Sequence, residues 1–233
     1  MMSGEDATPR GARPRNPFPV VAVGASAGGL EACRKLFAAI PADTRLAFVL
    51  VMHLDPNHAS MVAELLAADT GLEVLEAAEG LAVAAGRLFV IPPGAYLAVR
   101  DGVLRLSAPS AGHGVRQPFD FLLTSLAADA GAQAVCVVLS GTGSDGSAGL
   151  RAISAAGGLV IAQDPAEATW SGMPDSAVAT GLVDHVLPAA QIAGAIAAHA
   201  ARPEGADAGA GDGAALEGIL ALVRQRATHD VTL

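Results

Sequence analysis

The 233-residue chain predicts an α/β domain in which a mostly parallel, doubly wound sheet is covered by helices on both faces. Between about residues 18 and 200, short apolar runs alternate with amphipathic segments of helical spacing. The runs are apolar throughout, as in Pro19–Val23 and Ala47–Met52, which suits strands buried on both faces. One Asp-Gly pair, Asp101-Gly102, sits between two short alternating runs and marks a single peripheral hairpin.

In order, the expected strands of the sheet are Val20–Val23, Ala47–Met52, Glu73–Leu75, Arg87–Ile91, Ala134–Leu139, Leu159–Ala162 and Asp184–Leu187. The hairpin comprises Tyr96–Arg100 and Val103–Leu106. Expected helices cover Leu30–Ile40, Met61–Ala68, Phe119–Ala130, Gly146–Ala156 and Ala189–Ala200. Asp120, near the start of its helix, is expected to cap it. Residues 1–16 read as a flexible leader. Residues 201–213 read as a Gly/Ala/Asp linker. Ala214–Arg226 reads as an amphipathic helix on Leu216, Ile219, Leu220 and Val223.

Composition narrows the function. Apolar residues make up 52% and charged residues 16%, a globular balance. No apolar run reaches 18 residues, so no membrane insertion is expected, and the polar N-terminus is no secretory signal. The net charge is -9 with Lys35 the only lysine, which argues against a nucleic-acid partner. Cys33 and Cys136 fall in apolar segments and are expected as reduced core residues, consistent with a cytoplasmic location.

Gly24-Ala25-Ser26-Ala27-Gly28 follows the first strand and opens a helix, the pattern of a nucleophile elbow. A tight, strained turn would lift the Ser26 hydroxyl, and the helix N-terminus behind it offers N–H groups to a developing oxyanion. A serine needs a base. In a doubly wound sheet, functional residues gather at the C-terminal strand ends around the switch point. The second strand ends at His53, and a later strand runs into Leu139-Ser140-Gly141-Thr142-Gly143-Ser144-Asp145-Gly146. Ser26, His53 and Asp145 can therefore converge as nucleophile, base and orienting carboxylate. Their chain order, Ser-His-Asp, differs from the Ser-Asp-His of α/β-hydrolases.

Each residue has a plainer reading. Ser26 could be a turn residue, His53 a satisfied strand-end histidine, and Asp145 a cap for the helix after it. Gly24-x-Ser26-x-x-Gly29 could be a dinucleotide fingerprint with its middle glycine replaced, Asp55 being the nearby acid. His53, Asp55 and His58 crowd six positions and could hold a metal, although the proline and asparagine between them suit a turn. The Gly141–Gly146 loop lacks the lysine of a phosphate-binding loop. Trp170-Ser171-Gly172-Met173-Pro174 reads as a loop, either lining the cleft or an ordinary turn.

Taken together, these motifs resemble the catalytic domain of the CheB-type protein-glutamate methylesterases of bacterial chemotaxis. The likeness spans residues 17–200. It rests on Gly24–Gly29, His53 closing the second strand, Ile91-Pro92-Pro93-Gly94, Leu139–Gly146, Gln163-Asp164-Pro165 and Gly172-Met173-Pro174. The resemblance implies a three-layer α/β/α sandwich and hydrolysis of glutamyl methyl esters on chemoreceptor-type signalling proteins, with glutamine deamidation in some members. It implies Ser26, His53 and Asp145 as the triad, with Ala27, Gly28, Thr142, Gly143 and Met173 around the substrate and oxyanion. Neither cofactor nor metal is implied. Three departures from the family pattern stand out. Ala27 replaces a common threonine, Thr142 replaces a common methionine, and the phosphorylatable receiver of two-domain members is not expected before residue 17. Ile219–Asp230 resembles the opening helix of CheR-type methyltransferases, so a fused methyltransferase in the same phosphorelay is expected. The alternative is a weakly active or inactive partner-binding module.

Overall fold

A computed structural model of the chain describes residues 17–52, 61–108 and 117–201. The predicted leader, linker and C-terminal helix, and the segment from His53 to Ser60, lie outside the described residues.

The seven strands of the main sheet are β1 (Val20–Ala25), β2 (Ala47–Met52), β3 (Glu73–Glu76), β4 (Arg87–Val90), β7 (Ala134–Val138), β8 (Leu159–Gln163) and β9 (His185–Leu187). β5 (Tyr96–Arg100) and β6 (Val103–Ser107) form a separate hairpin. The helices are α1 (Gly29–Ala38), α2 (Met61–Ala67), α3 (Pro118–Ala130), α4 (Leu150–Ala155), α5 (Gly172–Ala179) and α6 (Ala189–Ala200).

The sheet order is β3-β4-β2-β1-β7-β8-β9, and every pairing within it is parallel. The sheet starts at its centre with β1, runs to β2, out to the edge strand β3 and back to β4 between them, then crosses to build β7, β8 and β9 on the other side. The winding direction reverses between β1 and β7, which creates a crevice at their C-terminal ends.

The central strands β1, β2, β7 and β8 are buried along their whole length, as their continuous apolar runs require. Alternate residues of each strand feed opposite cores. Val20 and Ala22 join a core with Phe119, Leu122 and Leu150, beneath α3, α4 and the hairpin. Val21 and Val23 join a second core with Leu36, Phe37 and Ile192, beneath α1 and α6. The result is a three-layer α/β/α sandwich. In the hairpin, Asp101 and Gly102 have φ of 54° and 69°, the two positive values a type I′ turn demands. Both cysteines are free and buried, and burial pushes the Cys33 thiol up to about 12. Among the described residues no helix is long and apolar enough to cross a membrane.

The structure departs from the sequence reading in three elements. The helix expected from Gly146 starts only at Leu150, because Gly146 sits at φ 99° and turns the chain first. The expected loop at Trp170–Pro174 is instead the entry to α5. Pro174 and Asp175 occupy its first turn, and Met173, Pro174 and Ala177 form its buried side. Asp120 does not cap its own helix. Its carboxylate accepts from Gly149 N at 2.6 Å, ahead of α4.

Candidate active site

Ser26 directly follows β1 and is half-buried, with Ala27 and Gly28 exposed beside it. The expected strain is absent at Ser26. Among non-glycine residues described, only Asp101 has a positive φ. Gly28 takes the left-handed position instead, at φ 69°, as the residue capping α1. A glycine carries that conformation without steric cost, so the turn is sharp and unstrained at the serine. A Cβ at Gly28 would also lie 2.7 Å from Thr169 Cβ.

The loop after β7 is fastened to this elbow. Ser26 N donates to the Ser140 carbonyl at 3.0 Å. The buried Ser140 hydroxyl accepts the Trp170 N–H at 3.0 Å and donates to the Ala27 carbonyl at 3.1 Å. Gly141 N donates to the Trp170 carbonyl at 3.0 Å, and Met173 N donates to the Gly141 carbonyl at 2.9 Å. Ser140 N is held by buried Gln163 Oε1 at 2.8 Å. Gln163 Nε2 in turn donates to Glu167, which pairs with Lys35 at 3.1 Å and accepts from Ala189 N. One polar chain thus ties β7, β8, α1 and α6 to the end of the crevice, and its buried members are satisfied.

Asp145 is 7% exposed. It does not cap the helix that follows it. Its two oxygens accept from Phe119 N at 3.1 Å and Asp120 N at 3.0 Å, so its carboxylate sits on the N-terminus of α3. These two charge-assisted bonds at the end of α3 fix the orientation of the carboxylate.

The structure therefore brings the Ser26 elbow and the loop leading to Asp145 to the same switch point. Thr142 and Gly143 lie exposed on that loop, and Met173 is buried behind it at 1% exposure. His53 lies outside the described residues. β2, which leads to it, ends at Met52 in register with Ala25, the residue before Ser26. The possible metal ligands Asp55 and His58 are also outside. Among the described residues no group of three or more His, Cys, Asp or Glu side chains could hold a metal.

Ser140, Gln163 and Trp170 carry the site's scaffold, and sequence reasoning did not assign them these roles. Ser140 and Gln163 each stand at a buried strand end, where a polar side chain is unusual enough to be a signal. Trp170, 53% exposed, is the chain's single tryptophan. A separate cleft of about 610 Å³, lined by Val99, Phe121 and Asp129, lies between the hairpin and α3. It contains neither Ser26 nor Asp145, so it is not where this chemistry would occur.

Gly141 leaves no room for a side chain. An added Cβ would collide with Met173 Sδ and lie 2.9 Å from Ser26 Cβ. Gly141→Ala is expected to cost about 1–3 kcal/mol, seen as a lower melting temperature. A displacement of Ser26 on the order of 1 Å is expected to cut turnover about 100-fold. Steady-state kinetics beside a thermal melt would check both.

Comparison with known proteins shows the family and the fold. The family model of the CheB methylesterase matches residues 21–196. The protein-glutamate methylesterase FrzG of Myxococcus xanthus is 37% identical over 80% of this chain and 56% of its own length. An uncharacterised 104.1 kDa protein of Rhodobacter capsulatus is 46% identical over 54% of this chain, a match covering 13% of that protein. The crystal structure of the Thermotoga maritima CheB methylesterase catalytic domain superposes with a TM-score of 0.72 at 29% identity, covering 77% of this chain and 97% of that one. Apart from that isolated domain, the chain spans little more than half the length of FrzG, and far less of the Rhodobacter protein. The matched region takes in β1, the elbow, the loop to Asp145 and most of α6, and the chain belongs to the CheB methylesterase family.

Proposed function

We propose that residues 17–200 form a serine-dependent esterase that hydrolyses glutamyl methyl esters on chemoreceptor-type signalling proteins. The observation that carries this reading is the 3.0 Å bond from Ser26 N to Ser140 O, which holds the serine elbow against the loop leading to Asp145.

In this mechanism His53 removes the Ser26 hydroxyl proton as Oγ attacks the ester carbonyl. Asp145 orients the imidazole and stabilises the imidazolium. The carbonyl oxygen becomes an oxyanion, for which the Ala27 and Gly28 N–H groups would be the elbow's donors, since Ser26 N and Gly29 N are already bonded to Ser140 O and Ser26 O. Collapse of this intermediate breaks the bond to methoxide, which takes the proton from His53 and leaves as methanol. Water, deprotonated by His53, then attacks the acyl-serine, releasing glutamate and restoring Ser26. An amide substrate would follow the same steps and release ammonia, giving glutamine deamidation. No step needs a cofactor or metal.

Around this core we place a leader at 1–16, a linker at 201–213 and a methyltransferase-like helix at 214–233. The likeness of Ile219–Asp230 to the opening helix of CheR-type methyltransferases supports fusion to such a partner, and with it we propose action in the cytoplasm on a methylated receptor, within a chemosensory phosphorelay. The size of the Rhodobacter relative is consistent with such an assembly. A second reading follows from Ala27. It is exposed and brings no hydroxyl to the elbow, which favours a slow or inactive partner-binding module.

Methanol release from a methyl-esterified receptor cytoplasmic domain separates the two. Release that continues over many turnovers supports the esterase. A folded protein that binds this substrate without releasing methanol supports the module.

A further inference from the structure

Asp120 is a half-buried carboxylate that the mechanism above leaves unused. It sits in the first turn of α3 and reaches across to the turn ahead of α4. Gly149 N donates to its Oδ1 at 2.6 Å, and the Gly146 and Ala148 amides also point to the carboxylate. Asp145 makes the converse connection, from ahead of α4 to the Phe119 and Asp120 amides of α3. The two aspartates therefore exchange helix ends. There is no slack between the segments, since a Cβ at Gly149 would lie 3.2 Å from Asp120 Cα and 2.7 Å from Leu123 Cβ.

Capping alone does not call for a second carboxylate here, because asparagine caps a helix about as well as aspartate. Asp120 Oδ2 is buried with no hydrogen-bond partner among the described residues, a costly state for an ionisable group. Its carboxyl is raised overall above the usual carboxylate range: burial raises it most, the Gly149 amide bond lowers it, and the nearby Asp145 charge raises it again. Among the described residues, the other ionisable group coupled to it is the buried Cys136 thiol on β7. Tyr96 on β5 packs against Phe121 instead.

We propose that Asp120 is a positioning residue for Asp145: it clamps the 145–149 loop to α3 and adds negative charge behind the carboxylate. This rests on the reading of Asp145 as the triad carboxylate. The clamp keeps Asp145 in one orientation, and the charge favours the imidazolium formed during ester cleavage.

Two substitutions separate the clamp from the charge. Asp120→Ala removes both, and kcat for methanol release is expected to fall by about 30-fold or more, with KM within about twofold. Asp120→Asn keeps an acceptor for Gly149 N and is expected to recover most of that loss. It is also expected to move the acid limb of the kcat/KM pH profile down by about half a unit, because less negative charge remains to hold the imidazolium proton. The same limb should move in the rate at which a fluorophosphonate labels Ser26. If both variants keep the wild-type kcat and acid limb and only melt at lower temperature, Asp120 is a helix cap and the proposal is overturned. If the wild type neither releases methanol nor labels, the esterase reading fails, and this inference fails with it.

Discussion

Replacing Ser26 by alanine is expected to lower methanol release by about 10⁴-fold or more, to the level that binding and the oxyanion groups alone would sustain. The fold should survive the change. Ser26 is tied into the structure through its backbone, by the donor to Ser140 and the carbonyl that accepts Gly29 N at 2.9 Å, and alanine keeps both. A near-native melting temperature with lost turnover is therefore the expected pair of results. Retained turnover would place the nucleophile elsewhere.

Asp145→Asn should be the next most damaging change, and it should act in two ways. An amide cannot stabilise an imidazolium as a carboxylate does, so turnover is expected to fall by about 10³-fold or more. It also cannot accept both α3 amides. Its oxygen can take either the Phe119 or the Asp120 N–H, but its NH2 then faces the other. That mismatch is expected to cost about 1–2 kcal/mol and lower the melting temperature by several degrees. Combined with Ser26→Ala, the further loss of activity should be small if the two groups act as one unit, as proposed. Kinetics and melts on the two single variants and the double variant would test this.

The fold was legible in the sequence where burial is uniform. Val20–Ala25 and Ala134–Val138 are apolar throughout because both faces of the sheet are covered, and that pattern survives in one dimension. The hairpin was legible because Asp101-Gly102 matches one turn type. The entry to α5 was not, since a glycine and a proline inside four residues signal a turn, and only the burial of Met173 and Ala177 against the sheet makes it a helix. The positions of Ser26 and Asp145 could be read from strand ends. Their tethers could not. Asp145 caps a helix that begins 27 residues before it, and Asp120 reaches a turn 29 residues after it. Those contacts arise from the packing of α3 on α4, which no local pattern encodes. The strained elbow was misread for a related reason: the five-residue motif does not reveal which residue takes the left-handed position, and here Gly28 does.

The esterase proposed here depends on Ser26 being an activated nucleophile at the β1–β7 switch point. Intact-mass analysis after brief exposure to a fluorophosphonate tests it most directly. One adduct per chain, mapped to Ser26 and absent from Ser26→Ala and slowed in Asp145→Asn, is the predicted result. A wild-type protein that releases methanol while Ser26 stays unmodified, or one labelled equally well without Ser26, would contradict it.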